Sequence, residues 1–245
     1  MIGQVVTFDG HRLNDLFFVG EVAAGLPEWS PTVVDRSGNG ATVTGTRTGT
    51  AQVSVRLVAK PVAGKHPRES IAKLLAWLDV DGPKWLTLSD DDGLKRLVVP
   101  TGSPSVDDTE YNDNIVVAFE QVEPCLFGAS KTASLASASS ASLTVGGTHP
   151  TRPTITAAAA IRDSTTGLWG VSFDNDASVL RVPLPTALQT ALSIDCDSRA
   201  VLVDGEVSNI TLESDWPELA AGTHTVAMDL GTGAASLAWV ERWHR

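Results

Sequence analysis

Apolar residues recur at every second position over much of this chain. In Gln52-Val53-Ser54-Val55-Arg56-Leu57 the apolar members fall on one side of an extended strand and the polar ones on the other. Ile115, Val117 and Phe119 alternate in the same way, with Asn114 and Glu120 on the opposite face. Leu192, Ile194 and Cys196 alternate with Ser193, Asp195 and Asp197, and Val226, Met228 and Leu230 repeat the pattern near the end. Turn signals separate the runs: Asp9-Gly10, Gly38-Asn39-Gly40, Asp92-Gly93, Asp204-Gly205 and Gly231-Thr232-Gly233. Such residues enter the left-handed backbone region at low cost. The period changes once. Ile71, Leu74, Leu75 and Leu78 are spaced i, i+3, i+4, i+7, which predicts a helix with one apolar stripe. Pro67 suits its first turn, Glu69 its positive end, and Gly82-Pro83 prevents continuation. The pattern predicts a mainly β chain with one helix in its first half.

Composition divides the chain. Twelve of the fourteen residues from Ala129 to Ser142 are Ala, Ser or Thr. A stretch with so little to bury predicts a linker or an extended connecting arm. The strand-rich block after it has turns spaced as in a β-sandwich. The expected organisation is therefore a domain over 1–128, a linker or arm over 129–142, and a β-sandwich over 143–245. With 245 residues, each half is the size of a bare domain. The sequence shows no internal repeat of the 20–50 residue kind.

Charge and chemistry narrow the function. The net charge of −11 is shared almost evenly, −6 before Phe127 and −5 from there on. That disfavours specific nucleic-acid binding and an anionic membrane surface, both of which rely on surplus cations. No apolar run reaches the ~18 residues of a membrane span. The amino terminus lacks the charged and apolar regions of a signal peptide, so the chain is expected to be made and kept in a cytoplasm, and the sequon Asn209-Ile210-Thr211 to be idle. Cys125 and Cys196 are too few for a disulfide scaffold and read as buried free thiols. His11, His66, His149, His224 and His244 show no zinc spacing, and no nucleophile elbow is present. Gly38-Asn39-Gly40 lacks the further glycine or lysine of a phosphate loop and reads as a hairpin turn. Asp90-Asp91-Asp92-Gly93 has consecutive carboxylates followed by Lys95-Arg96, which suits a hairpin tip rather than a calcium loop. Asp174-Asn175-Asp176 reads as a similar turn. No catalytic residue, cofactor site or metal site is expected.

The ordered features resemble the distal tail proteins of long-tailed, non-contractile (siphovirus-like) bacteriophages. In the first half the resemblance rests on Phe8-Asp9-Gly10, Leu16-Phe17-Phe18-Val19, a Gly-rich excursion to residue 50, the strand from Gln52, the helix near Glu69–Leu78, and a closing step at Phe119–Gly128. Relatives often close that step with Asp-Pro and an aromatic, whereas this chain has Glu123-Pro124 with Cys125-Leu126 before Phe127. In the second half the resemblance rests on Gly146-Gly147-Thr148 with Arg152-Pro153-Thr154-Ile155-Thr156. It continues through Leu192–Asp197 with Asp204-Gly205, and Ser214–Leu219 with Ala221-Gly222-Thr223-His224.

The resemblance implies a tail-tube-like β-sandwich or split barrel with one flanking helix, then a galectin-like jelly-roll β-sandwich. It implies a non-enzymatic virion protein, six copies of which form an adaptor ring between tail tube and tail tip, or baseplate, and continue the DNA channel. The implied partners are further copies of the chain, the tail tube protein, a tail-tip protein and the end of the tape measure protein. The implied location is the distal end of the virion tail, after assembly in the host cytoplasm. A second reading is a carbohydrate-binding β-sandwich module or a glycosidase accessory domain, because Trp169, Trp216, Trp239 and Trp243 crowd the second half and exposed tryptophans stack on sugar rings. Core or domain-contact tryptophan is the alternative use of the same residues.

Overall fold

The computed structural model describes residues 4–36, 40–61, 67–109, 112–175, 177–185 and 188–244. The chain divides into two compact units, one running to Leu126 and one covering Phe127–His244.

The first unit begins with β1 (Val6–Phe8), β2 (His11–Arg12), a 3-10 turn at Leu13–Asp15, and β3 (Phe17–Ala24). A hairpin of β4 (Trp29–Asp35) and β5 (Ala41–Thr48) follows, then β6 (Ala51–Ala59) and the helix α1 (Pro67–Leu78). β7 (Lys84–Leu88), β8 (Lys95–Thr109) and β9 (Asn112–Gln121) complete the unit. All except β4 and β5 form one antiparallel sheet in the order β3-β6-β9-β8-β7-β1-β2. The sheet curls on itself. Phe8 on β1 and Phe119 on β9 have ring centroids 5.2 Å apart, although two strands lie between theirs in the order. In a flat sheet at roughly 4.8 Å per strand those rings could not meet. The curl gathers the inward rows Val53, Val55 and Leu57 of β6 and Ile115, Val117 and Phe119 of β9 into one core.

Helix α1 closes that core with a face slightly different from the expected stripe. Leu74 is fully buried, Ile71, Trp77 and Leu78 pack partly against the core, and Leu75 is 48% exposed. Trp77 is the larger flank of the Leu74 row, so the helix turns its tryptophan inward and leaves Leu75 outside.

The second unit is a β-sandwich. β10 (Cys125–Leu135) carries the chain across the division, and β11 (Ser140–Val145), β12 (Thr154–Ala160), β13 (Leu168–Phe173) and β14 (Ser178–Pro183) follow. β15 (Thr190–Asp195), β16 (Ala200–Val203), β17 (Glu206–Ser208), β18 (Gly222–Leu230) and β19 (Ala235–His244) come last. One sheet runs β17-β16-β15-β12-β19-β10 and the other β11-β18-β13-β14. The chain crosses repeatedly between the two, as at β10–β11, β12–β13 and β18–β19, in the manner of a jelly roll. Ile155, Ile194 and Leu237 from one sheet meet Val171, Leu180 and Val226 from the other in a single core.

The segment Ala129–Ser142, expected as a linker or an extended connecting arm, is extended and built into strands. Residues up to Leu135 belong to β10 and those from Ser140 to β11, joined by a tight turn in which Ala138 takes φ +51°. Its large apolar side chain points inward: Leu135 and, just beyond, Leu143 and Val145 are buried, while Lys131 and most Ala, Ser and Thr positions line the outer face. Pairing with β19 and β18 holds these small residues in strands, which composition does not show.

Candidate assembly surface

The polar residues singled out by sequence serve local structure. Ser89–Asp91 form a 3-10 turn that ends in Asp92 at φ +48° and Gly93 at φ +83°. Both oxygens of Asp91 accept from Arg96, whose Nε and Nη2 each lie 2.8 Å away. Arg96 is fully buried on β8, and its Nη1 also donates to Gln121 Oε1 at 3.0 Å. Gln121 in turn donates to the carbonyls of Glu123 and Cys125. This network fixes the hairpin tip and the end of β9 with one buried charge pair, and removing either member strands the other.

Asp174 and Asn175 take φ +51° and +57° between β13 and β14, while Asp176 lies outside the described residues. Of the Gly38-Asn39-Gly40 turn only Gly40 is described, but β4 and β5 pair antiparallel on either side of it. His11 stacks on Trp77, His149 meets His244 edge-on, and His224 pairs with Asp174. His66 lies outside the described residues. Among the described residues no three His, Cys, Asp or Glu side chains are grouped as for a metal, and no helix is long and apolar enough to cross a membrane.

Trp169 and Trp239 belong to the sandwich core, and Trp216 packs partly against it. Stacking on a sugar needs an exposed ring face, which Trp169 and Trp239 do not offer. Cys125 and Cys196 are both buried. Burial, with a smaller contribution from the Asp195 charge, pushes the Cys196 thiol up to about 12. Since the thiolate is the nucleophile, neither cysteine is expected to react with a disulfide reagent at pH 8 in the folded chain, and both should react in guanidinium. Rapid labelling of either in the native protein would contradict this burial.

The surface that stands out is the β4–β5 ribbon. It pairs with no other strand among the described residues, and every residue of β4 is exposed. Its register runs from Trp29 opposite Thr48 to Asp35 opposite Ala41, with a bulge beside Thr32 and Val33. Alternation puts Trp29, Pro31 and Val33 on one face, where Val33 sits opposite Val43. Trp29 is 59% exposed and Val43 61%. Backbone bonds tie the base of the ribbon: Gly25 N donates to Gln52 O, and Gly49 N to Glu28 O, both at 2.7 Å. A two-stranded ribbon is marginal alone in water, and apolar side chains held out on one mark an interaction surface. The hairpin turn expected at Gly38-Asn39-Gly40 marks the tip of this ribbon, but the sequence pattern does not show that its strands stand apart from the sheet. The available signal was Thr42-Val43-Thr44 opposite Thr32-Val33-Val34, β-branched residues without a buried row beneath them.

A mainly β chain with a curled, helix-flanked sheet and a jelly-roll sandwich defines a fold class that comparison with known proteins makes specific. Residues 146–243 match the family described as siphovirus-type tail component, C-terminal domain. The second domain is thus similar to tail components of the siphovirus type. Among solved structures, the chain is similar to the SPP1 Dit protein, described as a paradigm of the hub adsorption apparatus in phages infecting Gram-positive bacteria. The identity is 17%, the TM-score 0.74, and 98% of each chain is covered. Two structures of the phage P2 baseplate in its activated conformation are also similar. The one with calcium gives a TM-score of 0.51 at 8% identity over 98% of each chain. The one with strontium gives 0.52 at 7% identity over 96% of this chain and 97% of the other. No curated protein matches. The resemblance to distal tail proteins therefore stands, on the family match for the second domain and on the fold for both domains.

Proposed function

We propose that this protein is a structural, non-enzymatic component of a phage tail. In this reading six copies form an adaptor ring at the distal end of the tail tube and continue its channel into the tip or baseplate. The exposed apolar ribbon Trp29–Thr48 carries the reading, with the tail-component family of the second domain beside it. A ring needs a heterologous contact, in which one patch of a subunit meets a different patch of the next. A ribbon with both faces in solvent is suited to lie against a neighbouring copy. The tail tube protein, a tail-tip protein and the tape measure end are its expected partners, and the host cytoplasm is where assembly is expected.

Electron micrographs of the purified chain, alone or mixed with its tube or tip partner, should show rings of six. Trp29→Ser combined with Val43→Thr should abolish the rings without changing the melting temperature, because neither side chain belongs to a core. A chain that stays monomeric with both partners at micromolar concentration would refute the reading.

The channel wall is expected to be acidic or neutral. Six copies at −11 each would carry −66, and inward Lys or Arg would add phosphate contacts that hinder DNA passage. Of the acidic stretches in the first domain, Asp90–Asp92 contributes less than its composition suggests, since Arg96 neutralises Asp91. Asp79 and Asp81 remain as contributors, while the third stretch, Asp107–Glu110, ends at Glu110 outside the described residues. A ring structure with several unpaired Lys or Arg side chains along its channel would defeat this expectation.

A further inference from the structure

His224 sits on β18 in the same row as Val226 and Met228, whose side chains are buried in the sandwich core. It occupies the end of that row, with its side chain 14% exposed. Both ring nitrogens face acceptors. Nδ1 is 2.7 Å from Asp174 Oδ2, and Nε2 is 2.8 Å from the carbonyl oxygen of Ala220. A neutral imidazole has one N–H and one lone pair. In either neutral tautomer, one contact would therefore set a lone pair against an oxygen. Only the imidazolium donates at both ends.

Among the described residues, which do not include Asp176 two positions on in the same turn, the elements around the ring leave Asp174 as the charge it answers to. β11 offers Leu143 opposite His224. Farther along β18, Asp229 is bound to Arg181, and Glu218, ahead of Ala220, is bound to Arg152. Asp174 is itself committed to this strand, since its Oδ1 accepts from Thr225 N at 2.9 Å and its backbone N donates to Thr225 O at 2.7 Å.

We propose that His224 is a proton-operated clasp: charged, it fastens the β13–β14 turn to the start of β18, its neighbour in the same sheet, and on losing its proton it releases one of the two attachments.

The directions of titration agree. Burial favours the neutral ring, but the bonds to Asp174 and Ala220 outweigh it and raise the histidine above its ordinary 6.5. The bond from His224, then that from Thr225, lowers Asp174 below its ordinary 3.8. A raised histidine adds stability that is fully present below 6.5 and fades as pH rises through the higher folded value. A lowered aspartate adds stability that is present above 3.8 and fades as pH falls through the lower folded value. The clasp is therefore closed in mildly acidic to neutral solution and opens on the alkaline side.

The test is an NMR titration of the histidine Cε1–Hε1 signals in the full-length chain, with Asp174→Asn and His224→Gln for comparison. The asparagine side chain of the first variant keeps an oxygen for Thr225 N but loses the charge that holds the imidazolium. His224 should titrate above 6.5 in the native chain and drop to 6.5 or below in Asp174→Asn. The melting temperature of the second domain should exceed that of His224→Gln at about pH 5.5, and the gap should vanish by about pH 9. A native His224 that titrates at or below 6.5 would overturn the proposal, and so would a His224→Gln deficit independent of pH. If a variant fails to fold, the titration of the native chain decides alone.

Discussion

A fragment covering residues 127–245 is expected to melt in one sharp transition, whereas a fragment covering 143–245 is expected to show none. The shorter one begins where composition suggests the second domain should begin, yet it lacks all of β10 and the first half of β11. Three consequences compound. Leu135, 1% exposed in the core, is removed, and deletion of a buried leucine side chain alone costs roughly 2–5 kcal/mol. β19 loses the strand beside it, so a row of backbone N–H and C=O groups is opened at a new edge. β11 loses its pairs Ser140 with Ala227, Ala141 with Val226 and Ser142 with Thr225, and the bond from Met228 N to Ser139 O disappears with them. Against a typical total of about 5–15 kcal/mol for a domain, these losses leave little or nothing. Thermal melts followed by near-ultraviolet circular dichroism on the two fragments make the check. A shorter fragment that melts cooperatively within a few degrees of the longer one would show that the outer strands are dispensable.

The same segment shows why part of the fold could be read from sequence and part could not. Where a strand buries one face, side chains announce it: Val53, Val55 and Leu57 are all fully buried, as are Ile194 and Cys196. The helix was equally legible, because its ends carry Pro67 and Gly82-Pro83 and its period differs from everything around it. β10 and β11 hid because their ladder bonds are made by backbone, to which composition is blind, and because Leu135 is a single large residue among small ones. The β4–β5 ribbon hid for the opposite reason. Its Trp and Val residues look like core, but no core lies beneath them, and exposure is a property of the whole assembly of strands. The His224 clasp joins residues fifty positions apart, so no local pattern could reveal it, although the Asp174-Asn175 turn that supplies its carboxylate was visible. What the sequence did carry was the glycine pair Gly146-Gly147, whose physical role the structure explains.

Gly147→Ala is expected to destabilise the second domain severely, in sharp contrast to the same change at its neighbour. Gly147 takes φ +99°, and a Cβ built on it would lie 2.1 Å from the carbonyl oxygen of Arg242. That oxygen is the acceptor for both Thr148 N and His149 N, each at 3.0 Å, so the chain entering the sandwich is sewn to β19 at this point. Backbone cannot yield there without breaking both bonds, at about 0.5–1.5 kcal/mol apiece, on top of roughly 1–2 kcal/mol for the left-handed conformation. The total expected for Gly147→Ala is about 2–5 kcal/mol, within the range seen when a special backbone position is lost. Two controls separate the causes. Gly205 has φ +85° and nothing within 4 Å of its Cβ position, so Gly205→Ala should incur only the conformational cost of roughly 1–2 kcal/mol. At Gly146 the close atoms belong to the carboxylate of Glu241, 2.6 Å away at the far end of a flexible side chain. Gly146→Ala should therefore cost no more than about 1 kcal/mol once that carboxylate swings aside. Denaturant melts of the three variants should rank Gly147→Ala far below Gly205→Ala, with Gly146→Ala nearest the native chain. A Gly147→Ala protein as stable as Gly205→Ala would mean that the strand at Arg242 moves freely, and that the glycine pair is there for some reason other than this close approach.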